Sequence, residues 1–150
     1  MKLGLEGRSV LVMAASKGIG LASARAFHAA GAHVTICARG EQALHQAAAS
    51  MPGALAIRAD ATDPGDIAQV VAHATRQFGP VEVLVNNTGG PPAGLFEALD
   101  DEAWAAAVEG TLMAAIRVTR AVLPAMRAAR WGRIVNISSS GVRQPVPGLT

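Results

Sequence analysis

The chain has 150 residues, 51% of them apolar, 16% charged and 3% aromatic, with a formal charge of +2 at pH 7. That supports one core with little room for a second domain, and the scattered Lys and Arg and scarce aromatics speak against a nucleic-acid partner. The longest apolar helical pattern, Leu112 to Ala129, is broken by three arginines, the N-terminus lacks an apolar signal core, Cys37 is alone, and the four histidines lack ligand spacing. A cytoplasmic protein without membrane partner, internal disulfide or metal site is therefore expected.

In chain order, the apolar run Val10 to Ala15 reads as a buried strand. It empties into the turn Ser16-Lys17-Gly18-Ile19-Gly20, and a helical pattern begins near Leu21. A strand, a glycine turn and a helix start make a phosphate site. The N–H groups of the first helical turn lack partners, the helix dipole places positive charge there, and glycines allow close approach. Ser16 and Lys17 add a hydroxyl donor and a cation. The dinucleotide fingerprint G-x-G-x-x-G is absent, and such a turn also serves as a plain tight connection.

The first helix should stop at Gly31, and His33 to Ala38 is a second strand rich in β-branched residues, with Arg39 at its end. Glu41 to Ser50 reads as a helix and Ala54 to Arg58 as a strand closed by Asp60. Asp63 and Pro64 look like an N-cap and first helical position, after which Ile67, Val70, Val71, Ala74 and Phe78 fall on one face. Val81 to Val85 is a fourth strand leading into the loop Asn86 to Pro92. Asp100 or Asp101 caps a long helical region with an expected apolar face of Leu112, Ala115, Ile116, Thr119, Leu123 and Met126, bent at Pro124. Gly132 ends it. Arg133 to Ile137 is a fifth strand running into Ser138, Ser139 and Ser140. Trp104, Trp131, Met113 and Phe78 are expected in the core or at helix contacts.

Strands that are continuous apolar runs, alternating with helices, imply a parallel sheet covered on both faces with right-handed crossovers. The expected fold is a doubly wound α/β domain, a Rossmann-like three-layer sandwich. Ligands in such sheets sit beyond the carboxyl ends of the strands, where the strand order reverses, and Ser16, Arg39, Asp60, Asn86 and Ser139 all lie at those ends.

A Gly-Ile-Gly turn after the first strand, an Asp after the third, Asn-Asn-x-Gly after the fourth and a serine cluster after the fifth together resemble the short-chain dehydrogenase/reductase family, in its NADP-dependent, 3-oxoacyl-carrier-protein-reductase-like form. The likeness covers essentially the whole chain. The family's Thr-Gly-x-x-x-Gly-x-Gly motif falls on residues 13–20, where Met13 and Ala14 replace its first two members while Gly18 and Gly20 match. An alanine at 14 suits the turn at negative φ, whereas positive φ would count against it. The likeness implies an NADP site made of Ala14, Ser16, Lys17, Gly18, Ile19, Gly20, Arg39, Asp60, Ala61, Asn87, Thr88 and Gly89. Arg39 stands where an acidic residue would take the ribose 2′-OH of NAD, and with Lys17 it suits a 2′-phosphate instead. Asp60, read alone, is also a plain turn-closing residue.

The same likeness implies a carbonyl or alcohol substrate, with Ser139 as the catalytic serine holding the carbonyl and a tyrosine and lysine completing proton transfer. Ser138 and Ser140 are the alternatives at the serine position. The position of the family's asparagine falls on Thr111, which lacks an amide's donors and acceptor. There is no tyrosine among the 150 residues. The expectation is an amino-terminal portion of a longer reductase, with the sheet incomplete at its C-terminal edge. By itself this portion would be inactive. A non-catalytic NADP-binding or assembly module is the second reading. The apolar helix after Trp104 is the face through which the family pairs, implying a homodimer or homotetramer.

Overall fold

The computed structural model describes residues 3–90 and 94–144. Five strands, β1 (Ser9–Val12), β2 (His33–Ala38), β3 (Leu55–Arg58), β4 (Val83–Asn86) and β5 (Arg133–Asn136), form one parallel sheet in the order β3-β2-β1-β4-β5. The direction of winding reverses between β1 and β4, which pair with Leu11 opposite Leu84. The doubly wound α/β fold read from the sequence is the fold observed.

Alternation along the strands divides the core into two layers. Val10, Val12, Val34, Ile36, Val83 and Val85 point to one face, where they meet Ala24 of α1 (Gly18–Ala29) and Leu44 and Ala47 of α2 (Glu41–Ala49). Leu11, Met13, Cys37 and Leu84 point to the other, against Ile67, Val70 and Ala74 of α3 (Pro64–Phe78) and Val118, Val122 and Met126 of α5 (Ala114–Ala128). Each such fully buried aliphatic side chain contributes about 1.5–3 kcal/mol of transfer free energy. Local chemistry sets the helix ends. Asp63 Oδ1 accepts from the N–H groups of Gly65 and Asp66 at 2.6 and 3.1 Å with Pro64 at the first turn, and Gly31 at φ 82 follows α1.

Several expectations need correction. β1 ends at Val12 rather than Ala15, because the backbone turns at Ala14, and α1 begins at Gly18 rather than near Leu21, so the glycines are its first turn. Asp100 caps α4 (Asp101–Val108), but a π-helical turn, Glu109–Met113, separates α4 from α5, and α5 continues through Pro124 to Ala128. The buried face of α5 is Ala114, Val118, Val122 and Met126. Of the expected face only Met126 is buried, while Leu112 and Ile116 are exposed. The apolar arc of this helix is wide, with Arg117, Arg120 and Arg127 on the other side, so periodicity alone does not select which part of the arc meets the sheet. Trp104 is likewise exposed, stacked edge-on against Phe96, whereas Trp131 is half-buried beneath the guanidinium groups of Arg8 and Arg133. Among the described residues β5 is last in the sheet order, with Ile134 and Val135 exposed.

Candidate functional site

The turn after β1 is built by its neighbours. Met13 N donates to Val85 O at 3.1 Å and Ala15 N donates to Cys37 O at 3.0 Å, so the chain is pinned to both flanking strands as it leaves the sheet. Between these bonds Ala14 adopts φ 47, a correction to the negative φ that suits alanine, and Gly18 adopts φ 58. The turn forms despite the methyl because its hydrogen bonds over-determine it, at a strain of about 1–2 kcal/mol for an L-residue. Ala14→Gly is therefore expected to stabilise the protein by about 0.5–1 kcal/mol in urea unfolding, glycine's larger unfolded-state entropy taking back part of the relief.

Asn87, just beyond β4, locks this turn. Its Nδ2 donates to Met13 O and Ala14 O at 3.3 and 3.1 Å. Gly20 sits against the same atoms: a Cβ there would lie 2.6 Å from Ala14 O and 2.7 Å from Asn87 Nδ2. Turn, asparagine and helix start thus pack as one unit. Lys17 precedes α1 in extended conformation and no side chain caps the helix, leaving its first N–H groups open beside exposed Lys17, Gly18 and Ile19. Uncapped N–H groups, a cationic residue and no acid in the first turn suit an anion.

The neighbouring strand ends supply the flanks. Arg39 is exposed after β2, with Ser16 half-buried in the turn. After β3, Asp60 closes a turn: its Oδ1 accepts from Thr62 N at 2.9 Å and Thr62 Oγ1 at 2.8 Å, while its own N–H donates to Asp66 Oδ2 at 2.8 Å. Those two bonds from Thr62, then the charges of Arg39 and Arg58, hold its carboxyl below the ordinary value against the opposing effect of burial. Ala61, Asn87 and Thr88 line a narrow crevice, too tight to hold a water molecule, with Met13, Asn86 and, from α5, Ala114 and Ala115. Gly89 and Gly90 are exposed at its rim, and Pro91 and Pro92 lie outside the described residues.

Ser139 stands after β5 as the cap of a short 3₁₀ turn, exposed, its Oγ accepting from Gly141 N at 3.0 Å. The hydroxyl proton is not used by that bond. Thr111 lies in the π-helical turn and its Oγ1 donates to Ala107 O at 2.6 Å. Buried Cys37, 3.3 Å from Met13 Sδ, has its thiol pushed up to about 12 by burial, which leaves it unreactive.

Thr119, Asn136 and Arg117 are participants that the sequence reading does not single out. Buried Asn86 donates through Nδ2 to Asn136 Oδ1 at 2.8 Å and Thr119 Oγ1 at 3.1 Å, tying the ends of β4 and β5 to α5. Thr119 had been assigned to an apolar face, and Asn136 interrupts an apolar strand; a polar residue in each apolar pattern was the available signal. Arg117 is the third, ion-paired to Glu109 of the π-helical turn and donating to Thr62 O at 3.4 Å.

A family model described as short chain dehydrogenase matches residues 8–150. The chain is 41% identical over 148 residues to a putative ketoacyl reductase of Streptomyces coelicolor, covering 94% of this chain and 56% of that one. It is 37% identical over 139 residues to a 3-oxoacyl-(acyl-carrier-protein) reductase of Escherichia coli, covering 91% and 57%. Among solved structures, an actinorhodin polyketide ketoreductase variant with NADPH superposes with a TM-score of 0.90 at 38% identity, over 95% of this chain and 57% of that chain. The L-sorbose reductase of Gluconobacter frateurii, complexed with NADPH and L-sorbose, gives 0.94 at 33%, over 99% and 59%. The chain spans little more than half the length of the relatives it matches.

Proposed function

The chain belongs to the short-chain dehydrogenase family, and from that premise we propose that it binds NADP(H) and forms part of an oxidoreductase acting on a small-molecule carbonyl or alcohol. The observation that carries this reading is the packed unit of Ala14, Gly20 and Asn87, which leaves the start of α1 uncapped beside the strand end that bears Arg39. A turn held rigid by close packing at Gly20, open N–H groups at the helix start and two cations fit a phosphorylated dinucleotide.

In this reading the N–H groups of Gly18, Ile19 and Gly20 hold the diphosphate, with Ser16 adding a donor. Lys17 and Arg39 take the 2′-phosphate. Asp60, whose Oδ1 is occupied by Thr62, presents its second oxygen to the adenine amine, and Ala61, Asn87, Thr88 and Gly89 form the wall beside it. Bound NADPH supplies the hydride. Ser139, whose Oγ accepts from Gly141, keeps its proton free to donate to a substrate carbonyl oxygen. No phenol is available within these residues to protonate that oxygen, since the sequence contains no tyrosine, and on this reading the 150 residues alone bind cofactor without turnover. Titration with NADPH and NADH tests the proposal: tighter NADPH is expected, and tighter NADH or no binding overturns it.

Thr111 favours a second reading, a non-catalytic NADP-binding module. Its hydroxyl is committed to Ala107 O, so it does not replace the amide that the family resemblance places there. NADPH oxidation by the longer protein with a panel of ketones, β-ketoacyl thioesters and quinones separates the two, turnover supporting the enzyme.

The partner we propose is a second copy of the chain. Trp104, Val108, Leu112 and Ile116 recur every four residues and are 41, 46, 56 and 38% exposed, a stripe of large apolar groups on the side of α4 and α5 away from the sheet. Homodimer or homotetramer formation would cover it. Leu112→Lys is expected to leave unfolding unchanged within about 0.5 kcal/mol, as for an exposed site, and to shift sedimentation to the monomer.

A further inference from the structure

Arg117 joins the π-helical turn that precedes its own helix to a loop 55 residues earlier in the chain. It projects from α5, pairs with Glu109 on the π-helical turn, and donates to the Thr62 carbonyl in the loop after β3. Its side chain is only 22% exposed. Thr62 also donates its N–H and hydroxyl to Asp60 Oδ1, so a guanidinium on Thr62 O steadies the residue that orients the Asp60 carboxylate. The adjoining crevice is lined by Ala61 from this loop and by Ala114 and Ala115 from α5. Thus one cation spans the gap between the 60–62 loop and the helix opposite it.

We infer that Arg117 is a positioning residue for the cofactor site: it clasps the 60–62 loop to α5 and so presets the adenine wall, while Glu109 holds the guanidinium in place. The inference rests on the reading of Asp60 and Ala61 as that wall. Arg117 touches the loop and not the glycine turn, so its effect belongs to the adenine half of the dinucleotide. It also makes that half sensitive to the shape of the π-helical turn, because Glu109 and Thr111 belong to the same five residues.

The test uses Arg117→Met, Glu109→Gln and Arg117→Lys. In the unliganded protein, Arg117→Met is expected to speed exchange of the Thr62 amide about three- to tenfold, the scale of one ordinary hydrogen bond, because the contact to Thr62 O is long and solvent-screened. The dissociation constants of NADPH and 2′,5′-ADP should rise by a similar factor, and that of reduced nicotinamide mononucleotide should not change. Glu109→Gln should shift the same readouts less, because the Thr62 contact remains, and Arg117→Lys should restore most of the loss. Unchanged Thr62 exchange overturns the clasp without any ligand. An equal loss for both halves of the dinucleotide also overturns it, since a merely structural arginine would weaken both. If the unaltered protein binds neither NADPH nor 2′,5′-ADP, the cofactor reading fails, and the link from loop to cofactor fails with it.

Discussion

Arg39→Ala should raise the dissociation constant for NADPH about 10- to 30-fold while leaving NADH within about twofold. A charge-assisted hydrogen bond to phosphate contributes about 1.5–3 kcal/mol, and each 1.4 kcal/mol is tenfold in affinity. Arg39 is exposed at the end of β2, so solvent and salt screen it and the lower part of that range applies. The effect should shrink further between low and physiological ionic strength, and fluorescence titration of both nucleotides at two salt concentrations measures it. An equal loss for NADPH and NADH would show that Arg39 shapes the loop rather than reading the 2′-phosphate. No loss for either would leave Arg39 as a solvated side chain.

Gly20→Ala is expected to have the largest effect on the fold and the site together. The added Cβ would meet Ala14 O at 2.6 Å and Asn87 Nδ2 at 2.7 Å, one a backbone atom pinned on both sides and the other the amide that locks it. Neither can retreat without breaking hydrogen bonds, so overpacking should cost about 1–3 kcal/mol in urea unfolding. Displacing Asn87 frees the turn, and NADPH binding should be lost. Gly89→Ala is the matching control. Nothing lies within 4 Å of a Cβ at that exposed position, so stability should stay within about 0.5 kcal/mol of the parent. Retained NADPH affinity in Gly20→Ala would mean that the cofactor does not use this turn.

The two substitutions probe parts of the molecule that differ in how far the sequence reveals them. The matched glycines were visible from their place between an apolar run and a helical pattern, and Gly20 proved to be the point of tightest packing. Chain order alone places Arg39, Asp60 and Asn86 at strand ends, the family resemblance adds Ala61, Asn87 and Thr88 beside them, and the structure sets them at the ends of β2, β3 and β4 on the carboxyl edge of the sheet. The closing of a turn by Asp60, offered as its plainer role, is what its hydrogen bonds with Thr62 show. Ser139 stands after β5, as its chain order implies, and its Oγ also caps the short turn by accepting from Gly141 N.

What the residues by themselves determined is whatever depends on short range. β1, β2 and β4 are buried on both faces, so each announces itself as an apolar run whatever its partners. The Asp63-Pro64 and Asp100 caps act on N–H groups two or three residues away. Tertiary structure decided everything that required choosing between equal local options. The wide apolar arc of α5 acquires an inside only when Val118 and Val122 meet the sheet. Ala14 takes positive φ because Val85 and Cys37 hold the residues on either side of it. The bonds from Arg117 to Thr62 and from Asn86 to Asn136 join positions 55 and 50 residues apart, a separation over which no periodicity or cap carries information.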